Sequence, residues 1–323
     1  MKKKQNPSGG IVITRRHLVI GAICLIGAVI VVFVLLNLRQ QGVTSGAARV
    51  EIPHIHGLGF SSDGSRLLVP AHIGLLVYEN NRWSQPDLPA HDYMGFSPID
   101  SGFYSSGHPD LRTDYEPLLG LIKSEDGGRT ITTLVFEGES DFHLLAAGYR
   151  NHAVYVINPS PNSQLGAGMF YTLDEGQTWQ QSQATGLESS PLQIAVHPDE
   201  PDRVAVATES GLWLSRDYGN TFTPAFTADP VTAVAFNLNE DALYFGYQQL
   251  YRLDLGSGEA TLLPTPQLGN GDALIYLADS PASGQVAAAT TEKNIFVLFD
   301  NGLWKQIAND GVGGAPESDV SDG

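Results

Sequence analysis

The sequence predicts an all-β fold, a β-propeller of about six four-stranded blades preceded by one N-terminal transmembrane helix. Short apolar runs rich in Val, Leu, Tyr and Phe are broken by Gly, Asp, Asn and Pro, without a long amphipathic helical stripe. A unit of strand, polar turn, strand, Gly-bearing turn and strand repeats at intervals of roughly 37–51 residues, the length of one propeller blade. The units begin near His54, His91, Phe142, Leu192, Val231 and Ala273.

The transmembrane helix is predicted over residues 18–38, "LVIGAICLIGAVIVVFVLLNL". This apolar run has about the 20 residues that a helix needs to cross a bilayer. Basic residues lie mainly before it, in residues 1–17, so the positive-inside rule places that segment in the cytoplasm. We therefore expect a single-pass cell-membrane protein with an extracytoplasmic propeller. A cleavable signal peptide is the alternative, although its apolar region usually has only about 7–15 residues.

The rest of the chain is strongly acidic. We assign residues 39–50 to a polar linker, 51–309 to the propeller and 310–323 to a disordered acidic tail. Six of the 18 Lys and Arg residues lie in the first forty positions, which hold no acidic residue, so the remainder carries a formal charge of −23. This charge argues against a nucleic-acid partner and suits a metal or a cationic ligand. Cys24 is the only cysteine, so no disulfides are expected.

Three units carry one further pattern, S/T-x-D-x-G-x-T followed by an apolar residue. It occurs as "SEDGGRTI" at 124–131, "TLDEGQTW" at 172–179 and "SRDYGNTF" at 215–222. Asp and Thr side chains can satisfy backbone donors in a turn, and Gly supplies a positive φ. These residues are therefore expected to be structural: Asp126, Gly128, Thr130, Asp174, Gly176, Thr178, Trp179, Asp217, Gly219, Thr221 and Phe222.

The pattern resembles the Asp-box, or BNR repeat, of the sialidase and sortilin-like β-propellers. The stretches "HIHGLG", "DYMGFSP" and "SSGHP" are similar to those of exported, membrane-anchored bacterial proteins described as glycosyl-hydrolase-like BNR proteins. The resemblance implies a propeller with the boxes on its outer rim. It does not imply one activity, because enzymes, receptors and assembly factors share this fold. A classical sialidase is not expected, since Arg129 and Arg216 occupy variable box positions and no arginine cluster is evident.

Histidines are concentrated in the first three units, at the starts of innermost strands or after second strands, positions that share one face of a propeller. His54 and His56 are two residues apart, so their side chains project to the same side of a strand. Imidazole is a ligand for zinc and copper, so we predict that this face binds a transition metal or a small ligand. The candidate residues are His54, His56, His72, His91, His108, His143, Asp141 and Tyr93.

Two other functions are consistent with the same residues. A glycoside hydrolase needs two carboxylates flanking the scissile bond, and Asp92, Glu116 and Asp141 are candidates. The substrate of such a hydrolase would be a glycan, whereas a sortilin-like module would bind a peptide or an envelope protein through its channel and loops. The histidines could also serve only as hydrogen-bonding groups at strand ends. His197, in a turn of the fourth unit, is expected to face solvent.

Overall fold

Short antiparallel strands make up the chain in the computed structural model, which describes residues 49–299 and 301–314. The described residues contain no helix, and thus none that could cross a membrane. The segments predicted as cytoplasmic N-terminus and transmembrane helix, together with most of the linker and of the tail, lie outside the described residues.

Six sheets form the blades of the propeller, so the prediction of about six four-stranded blades is confirmed. In each blade the first to fourth strands are neighbours in order. The first strand of each blade lines one central cavity, with Phe60, Phe96, Ala146, Ala195 and Val234 among the lining residues. The first strand is therefore innermost and the fourth outermost.

The strands of the first three blades are consecutive along the chain. Blade 1 contains β2 (Gly59–Phe60), β3 (Leu67–Ala71), β4 (Gly74–Glu79) and β5 (Arg82–Ser84). Blade 2 contains β6 (Asp92–Ile99), β7 (Gly102–His108), β8 (Leu121–Ser124) and β9 (Thr132–Val135). Blade 3 contains β10 (Leu145–Ala147), β11 (Val154–Asn158), β12 (Gly168–Thr172) and β13 (Gln180–Ser182).

The last three blades follow the same order. Blade 4 contains β14 (Pro191–Val196), β15 (Val204–Thr208), β16 (Gly211–Ser215) and β17 (Thr223–Phe226). Blade 5 contains β18 (Ala233–Phe236), β19 (Ala242–Gly246), β20 (Leu250–Asp254) and β21 (Ala260–Leu262). Blade 6 contains β22 (Leu274–Asp279), β23 (Val286–Thr290), β24 (Ile295–Leu298) and β25 (Trp304–Asn309).

The ring is closed by a clasp between the two ends of the described chain. A short strand β1 (Val50–Glu51) pairs with β26 (Val312–Gly313), which itself pairs with the last strand of blade 6. The Ile52 N–H also donates to the carbonyl of Gly311. Residues 310–314, assigned to the tail from sequence, thus take part in the closing sheet.

Apolar side chains on both faces of the strands hold the blades together. All five residues of β15, "VAVAT", are buried, as expected for a strand between two others and between two neighbouring blades. Large side chains such as Tyr104, Tyr155 and Phe245 are fully buried. This packing fixes the direction of every first strand, so the beginnings of the first strands and the loops between second and third strands lie on one face.

Candidate functional site

The "HIH" segment lies just before the first strand of blade 1 rather than within it, since β2 begins at Gly59. Ile55 is buried, with 2 % of its surface exposed, and this fixes His54 and His56 on the other side of the chain. Their rings stack with centroids 4.7 Å apart and an interplanar angle of 8°. The His56 N–H donates to the carbonyl of Pro70 in β3, which brings the segment beside the end of that strand.

Three side chains from blades 1 and 2 meet at this point. His56 precedes β2, His72 follows β3, and Asp92 begins β6. His56 Nε2 is 3.1 Å from His72 Nδ1. His72 Nδ1 is 2.8 Å from Asp92 Oδ2, and His56 Nε2 is 3.4 Å from Asp92 Oδ1. These three residues form one group that could hold a metal ion, and we call it the first triad.

The spacing of the first triad matches the coordination of zinc. Zinc binds imidazole nitrogen and carboxylate oxygen at about 2.0–2.1 Å in a tetrahedron, whose ligands are then about 3.3–3.4 Å apart. Here the two ring nitrogens are 3.1 Å apart, and each lies near a different oxygen of Asp92, His56 at 3.4 Å from Oδ1 and His72 at 2.8 Å from Oδ2. A small outward movement of the side chains would accommodate the ion with one coordination position left open.

The electrostatics of the first triad favour a neutral imidazole facing a carboxylate. Burial lowers the pKa of His56 to about 4, although the Asp92 carboxylate opposes this shift and His72 and His54 add to it. His56 is therefore neutral at pH 7 and has a lone pair available. Asp92 Oδ1 is buried, and no described group forms a hydrogen bond with it. A buried oxygen without a partner is costly, and a cation would remove that cost.

A second group lies on the same face at the start of blade 3. In the segment "DFH" the Phe142 side chain is fully buried, and its N–H donates to Ser106 Oγ, so Asp141 and His143 flank an anchored residue. Asp141 Oδ2 is 2.7 Å from His143 Nε2 and 3.3 Å from His108 Nε2. Within the described chain Asp141 Oδ1 is buried and lacks a hydrogen bond. We call Asp141, His108 and His143 the second triad.

Other predicted site residues lie elsewhere. His91 is only 2 % exposed, and its Nδ1 accepts a hydrogen bond from the N–H of Asp110 in the loop after β7, while burial lowers its pKa. Tyr93 is also buried, and its ring packs against Phe103 inside blade 2, away from the first triad. Glu116 is exposed on the loop, where its N–H donates to the Glu137 carboxylate. We therefore assign none of these three to either triad.

The Asp-box turns are built alike in blades 2, 3 and 4. Asp217 Oδ1 accepts hydrogen bonds from the Thr221 N–H and from Ser215 Oγ, and Asp217 Oδ2 accepts one from Thr221 Oγ1. Ser215 Oγ in turn accepts from the Gly219 N–H. Asp126 and its neighbours repeat these contacts at 124–130, and Asp174 and its neighbours at 172–178. The turns join third to fourth strands, so they lie on the face opposite the triads.

Sequence reasoning misplaced one histidine and missed one carboxylate. The expectation that His197 faces solvent is wrong: it is 6 % exposed, and its Nδ1 accepts from the N–H groups of Asp199 and Glu200. Asp279, at the far end of β22, lines the central cavity of about 130 Å³ together with His56 and His143. Asp279 Oδ2 accepts from the Leu238 N–H, whereas Oδ1 is buried without a partner among the described residues. Burial raises the pKa of Asp279 to about 6.

The fold and the two triads define a class, a six-bladed β-propeller with a histidine–aspartate face. No family model and no curated protein matches the sequence. Solved structures with a similar fold include the GH74 xyloglucanase from Xanthomonas campestris, at 14% identity and a TM-score of 0.51. A GH74 enzyme from Niastella koreensis is similar at 15% identity and a TM-score of 0.54.

Each of these two comparisons covers 81% of this chain but only 46% of the GH74 enzyme. The chain therefore spans less than half the length of either GH74 protein. YCF48 bound to a D1 peptide matches at 16% identity and a TM-score of 0.47, over 82% of this chain and 85% of that one. The likeness to the two GH74 enzymes establishes the propeller fold alone.

Proposed function

We propose that the protein is a membrane-anchored, extracytoplasmic β-propeller that binds a transition metal ion at the first triad, His56, His72 and Asp92. One observation carries the proposal: two ring nitrogens and a carboxylate converge with separations of 2.8–3.4 Å, close to the edge of a zinc tetrahedron. Zinc fits this donor set, and copper is the competitor because it binds nitrogen ligands more tightly.

The first triad leaves room for a fourth ligand. The His72 side chain is 48% exposed, whereas that of His56 is 10% exposed, so the site is closed on the side of the blades and open towards solvent. Three protein ligands with an open position are typical of zinc sites that bind water or a small ligand. The proposed activity is therefore reversible binding of a small ligand through the metal ion.

Metal content tests this proposal directly. The full-length chain, purified without chelator, is expected to retain zinc or copper, and after dialysis against a chelator it should bind Zn²⁺ in calorimetric titration. His56→Asn should remove this binding. His152→Asn is the matched control, because His152 also pairs with an aspartate, Asp100, at 2.7 Å but lies in the turn between β10 and β11. A wild-type chain that neither retains a metal nor binds Zn²⁺ or Cu²⁺ would contradict the proposal.

A glycoside hydrolase is the second candidate, favoured by the Asp92 and Asp141 carboxylates. Both belong to the same face, and each has a buried oxygen without a hydrogen-bond partner in the described chain. Two carboxylates are the minimal catalytic set of most glycosidases. Hydrolysis of chromogenic glycosides that persists after chelator treatment and is lost in Asp141→Asn would favour this activity over metal binding.

A further inference from the structure

We infer that the central cavity of the propeller binds a small organic ammonium ion, of the primary alkylamine class, with the Asp279 carboxylate as its counter-ion. This inference goes beyond the proposed function and needs no metal ion at the first triad. The cavity has a volume of about 130 Å³ and is lined by the first strands of the blades. Its walls, its one carboxylate and its size together define the ligand.

The walls of the cavity are mostly apolar. Phe60, Phe96, Ala195 and Val234 are among the lining residues. Within the described chain no lysine or arginine lines the cavity, and Asp279 is the only acidic residue that does. Apolar walls favour a hydrocarbon body, and a lone carboxylate favours a cation. A ligand with an apolar chain and one positive charge matches both features.

The Asp279 carboxylate is held at the wall of the cavity between blades 5 and 6. Asp279 is the last residue of β22, and 7% of its surface is exposed. Its Oδ2 accepts a hydrogen bond of 2.8 Å from the N–H of Leu238, which also lines the cavity. Oδ1 is buried, and no described group forms a hydrogen bond with it. An ammonium group offers both a donor and a compensating charge to such an oxygen.

The chain itself does not provide a cation for Asp279. The basic groups near this end of the cavity are already paired with other carboxylates, Arg252 with Glu240 and Arg150 with Asp199. No cationic side chain is among the described groups that shift the pKa of Asp279, whereas the Glu240 carboxylate is. The negative charge at the wall is therefore left for a ligand to compensate.

The volume of the cavity limits the length of the ligand. An engineered apolar cavity of about 150 Å³ binds benzene, which has six heavy atoms. The volume of about 130 Å³ here suits a ligand of similar size. Consecutive residues of β14 and β22 line the cavity, so it extends along these strands and favours an unbranched chain. n-Pentylamine, with five carbons and one nitrogen, is the probe that these dimensions select.

The affinity for an amine should depend on pH through Asp279. Burial raises the pKa of Asp279 to about 6, the Leu238 N–H opposes this shift, and Glu240 adds to it. An alkylamine stays protonated over this range, since a lysine amine has a pKa of about 10.4. Binding should therefore be strongest above pH 7 and about tenfold weaker at pH 5, where about a tenth of the carboxylate is ionised.

The other titratable groups around the cavity do not reproduce this dependence. His56, at the opposite end of the cavity, has a pKa of about 4 and stays neutral above pH 5. A proton on His143, at the same end, would act in the same direction as protonation of the carboxylate, so the variant below is needed to separate them. The phenols around the cavity stay neutral, because burial raises the pKa of Tyr149, Tyr244 and Tyr276.

Calorimetric titration of the full-length, metal-free chain with n-pentylamine at pH 8 tests the inference. Metal is removed because an amine could otherwise bind to zinc. n-Pentanol, an uncharged ligand of the same size, is expected to bind more weakly. Asp279→Asn should weaken amine binding roughly 10–100-fold, leave pentanol binding unchanged and abolish the pH dependence. The variant keeps an acceptor for the Leu238 N–H, so it should fold.

Asp100→Asn is the matched control, because Asp100 directly follows the first strand of blade 2 but is exposed and paired with His152. It should bind the amine as the wild type does. No binding of the amine, equal affinity for amine and alcohol, or an amine affinity that Asp279→Asn leaves unchanged would each overturn the inference. Because these titrations contain no metal, their outcome is independent of the zinc test of the first triad.

Discussion

Aspartates on the two faces of the propeller differ in how completely they are bonded. Asp217, in an Asp-box turn, accepts three hydrogen bonds from Ser215 and Thr221, so both of its oxygens are satisfied. Asp92, on the opposite face, has a buried Oδ1 that no described group bonds. The same residue type is thus part of the scaffold where its partners are complete and a candidate ligand where they are not.

The physical reason lies in the sequence around each aspartate. In the box, partners come from two to four residues away, so the turn satisfies its own carboxylate. On the histidine face the partners of Asp92 come from another blade, 20 positions away for His72. Such partners cannot adapt freely, since each is fixed by the packing of its own blade, and an oxygen is left open.

The largest expected effect concerns metal affinity. Asp92→Asn removes the only charged ligand of the first triad, so Zn²⁺ affinity at that site should fall by more than the roughly 10–100-fold that accompanies loss of an outer-shell partner. The free energy of unfolding without metal should stay the same or rise slightly, because Asp92 Oδ1 is buried without a hydrogen bond from any described group and a neutral amide is less costly to bury than a carboxylate. Calorimetry and urea unfolding measure the two quantities. A marked loss of stability with unchanged Zn²⁺ affinity would show that Asp92 is scaffold, as Asp217 is.

Asp279 extends the comparison of aspartates to a third case. It has an oxygen without a hydrogen bond and no histidine among its bonded neighbours in the described chain. Its pKa of about 6 lies above the value of about 3.9 in an unfolded chain, so between these pH values the folded state binds more protons. The free energy of unfolding should therefore decrease as pH rises from about 4 to 6, by about 2–3 kcal/mol in total.

Asp279→Asn should remove that decrease, since an amide oxygen can still accept from the Leu238 N–H. Urea unfolding of both proteins between pH 4 and pH 8 is the measurement. The two should be equally stable near pH 4, and the variant should be more stable at pH 8. Parallel profiles would mean that Asp279 is not the source of the pH dependence.

A smaller effect, a modest loss of stability, is expected when an Asp-box aspartate is replaced. Asp217→Ala removes three accepted hydrogen bonds but leaves the partly exposed Thr221 donors accessible to water, so the free energy of unfolding should fall by only about 1–2 kcal/mol. Zn²⁺ affinity should not change, because the turn is on the other face. Reduced affinity with unchanged stability would place this turn in the binding site rather than in the scaffold.

The smallest effect is expected for His54, which stacks on His56 but is not part of the first triad. A ring contact contributes about 0.5–1 kcal/mol, so His54→Ala should weaken Zn²⁺ binding roughly two- to five-fold. A loss as large as that in His56→Asn would instead identify His54 as the fourth ligand. The titrations of the two variants, run side by side, decide between these roles.

The number of blades could be predicted because the strand and turn signals are local and recur at intervals of about one blade length, roughly 37–51 residues. The histidine face could also be predicted, since the order of strands in a blade places first-strand starts and second-to-third loops together. Which side chains of that face converge could not be predicted. His91 is predicted on the same face as His56, yet the loop after β7 packs over it and donates to its ring.

Asp92 and Asp279 show a second limit of prediction from the sequence. The sequence indicates Asp92 only as a catalytic carboxylate, because its approach to His72 depends on the rotation between blades 1 and 2, which no local pattern encodes. Asp279 ends an ordinary strand, and only the closure of the ring makes it line a cavity. Both depend on contacts between residues distant in sequence.

The clasp that closes the ring has a mechanical consequence. Two residue pairs, Val50 with Gly313 and Glu51 with Val312, hold it together with the hydrogen bond from the Ile52 N–H to Gly311, and they lie at the start of the described chain. Tension applied to the chain ahead of residue 49 would enter the propeller at these pairs before it reached any blade. The first part of the chain to be pulled free beyond them carries His54 and His56, so such tension would draw His56 away from His72 and Asp92 while the other blades stayed folded.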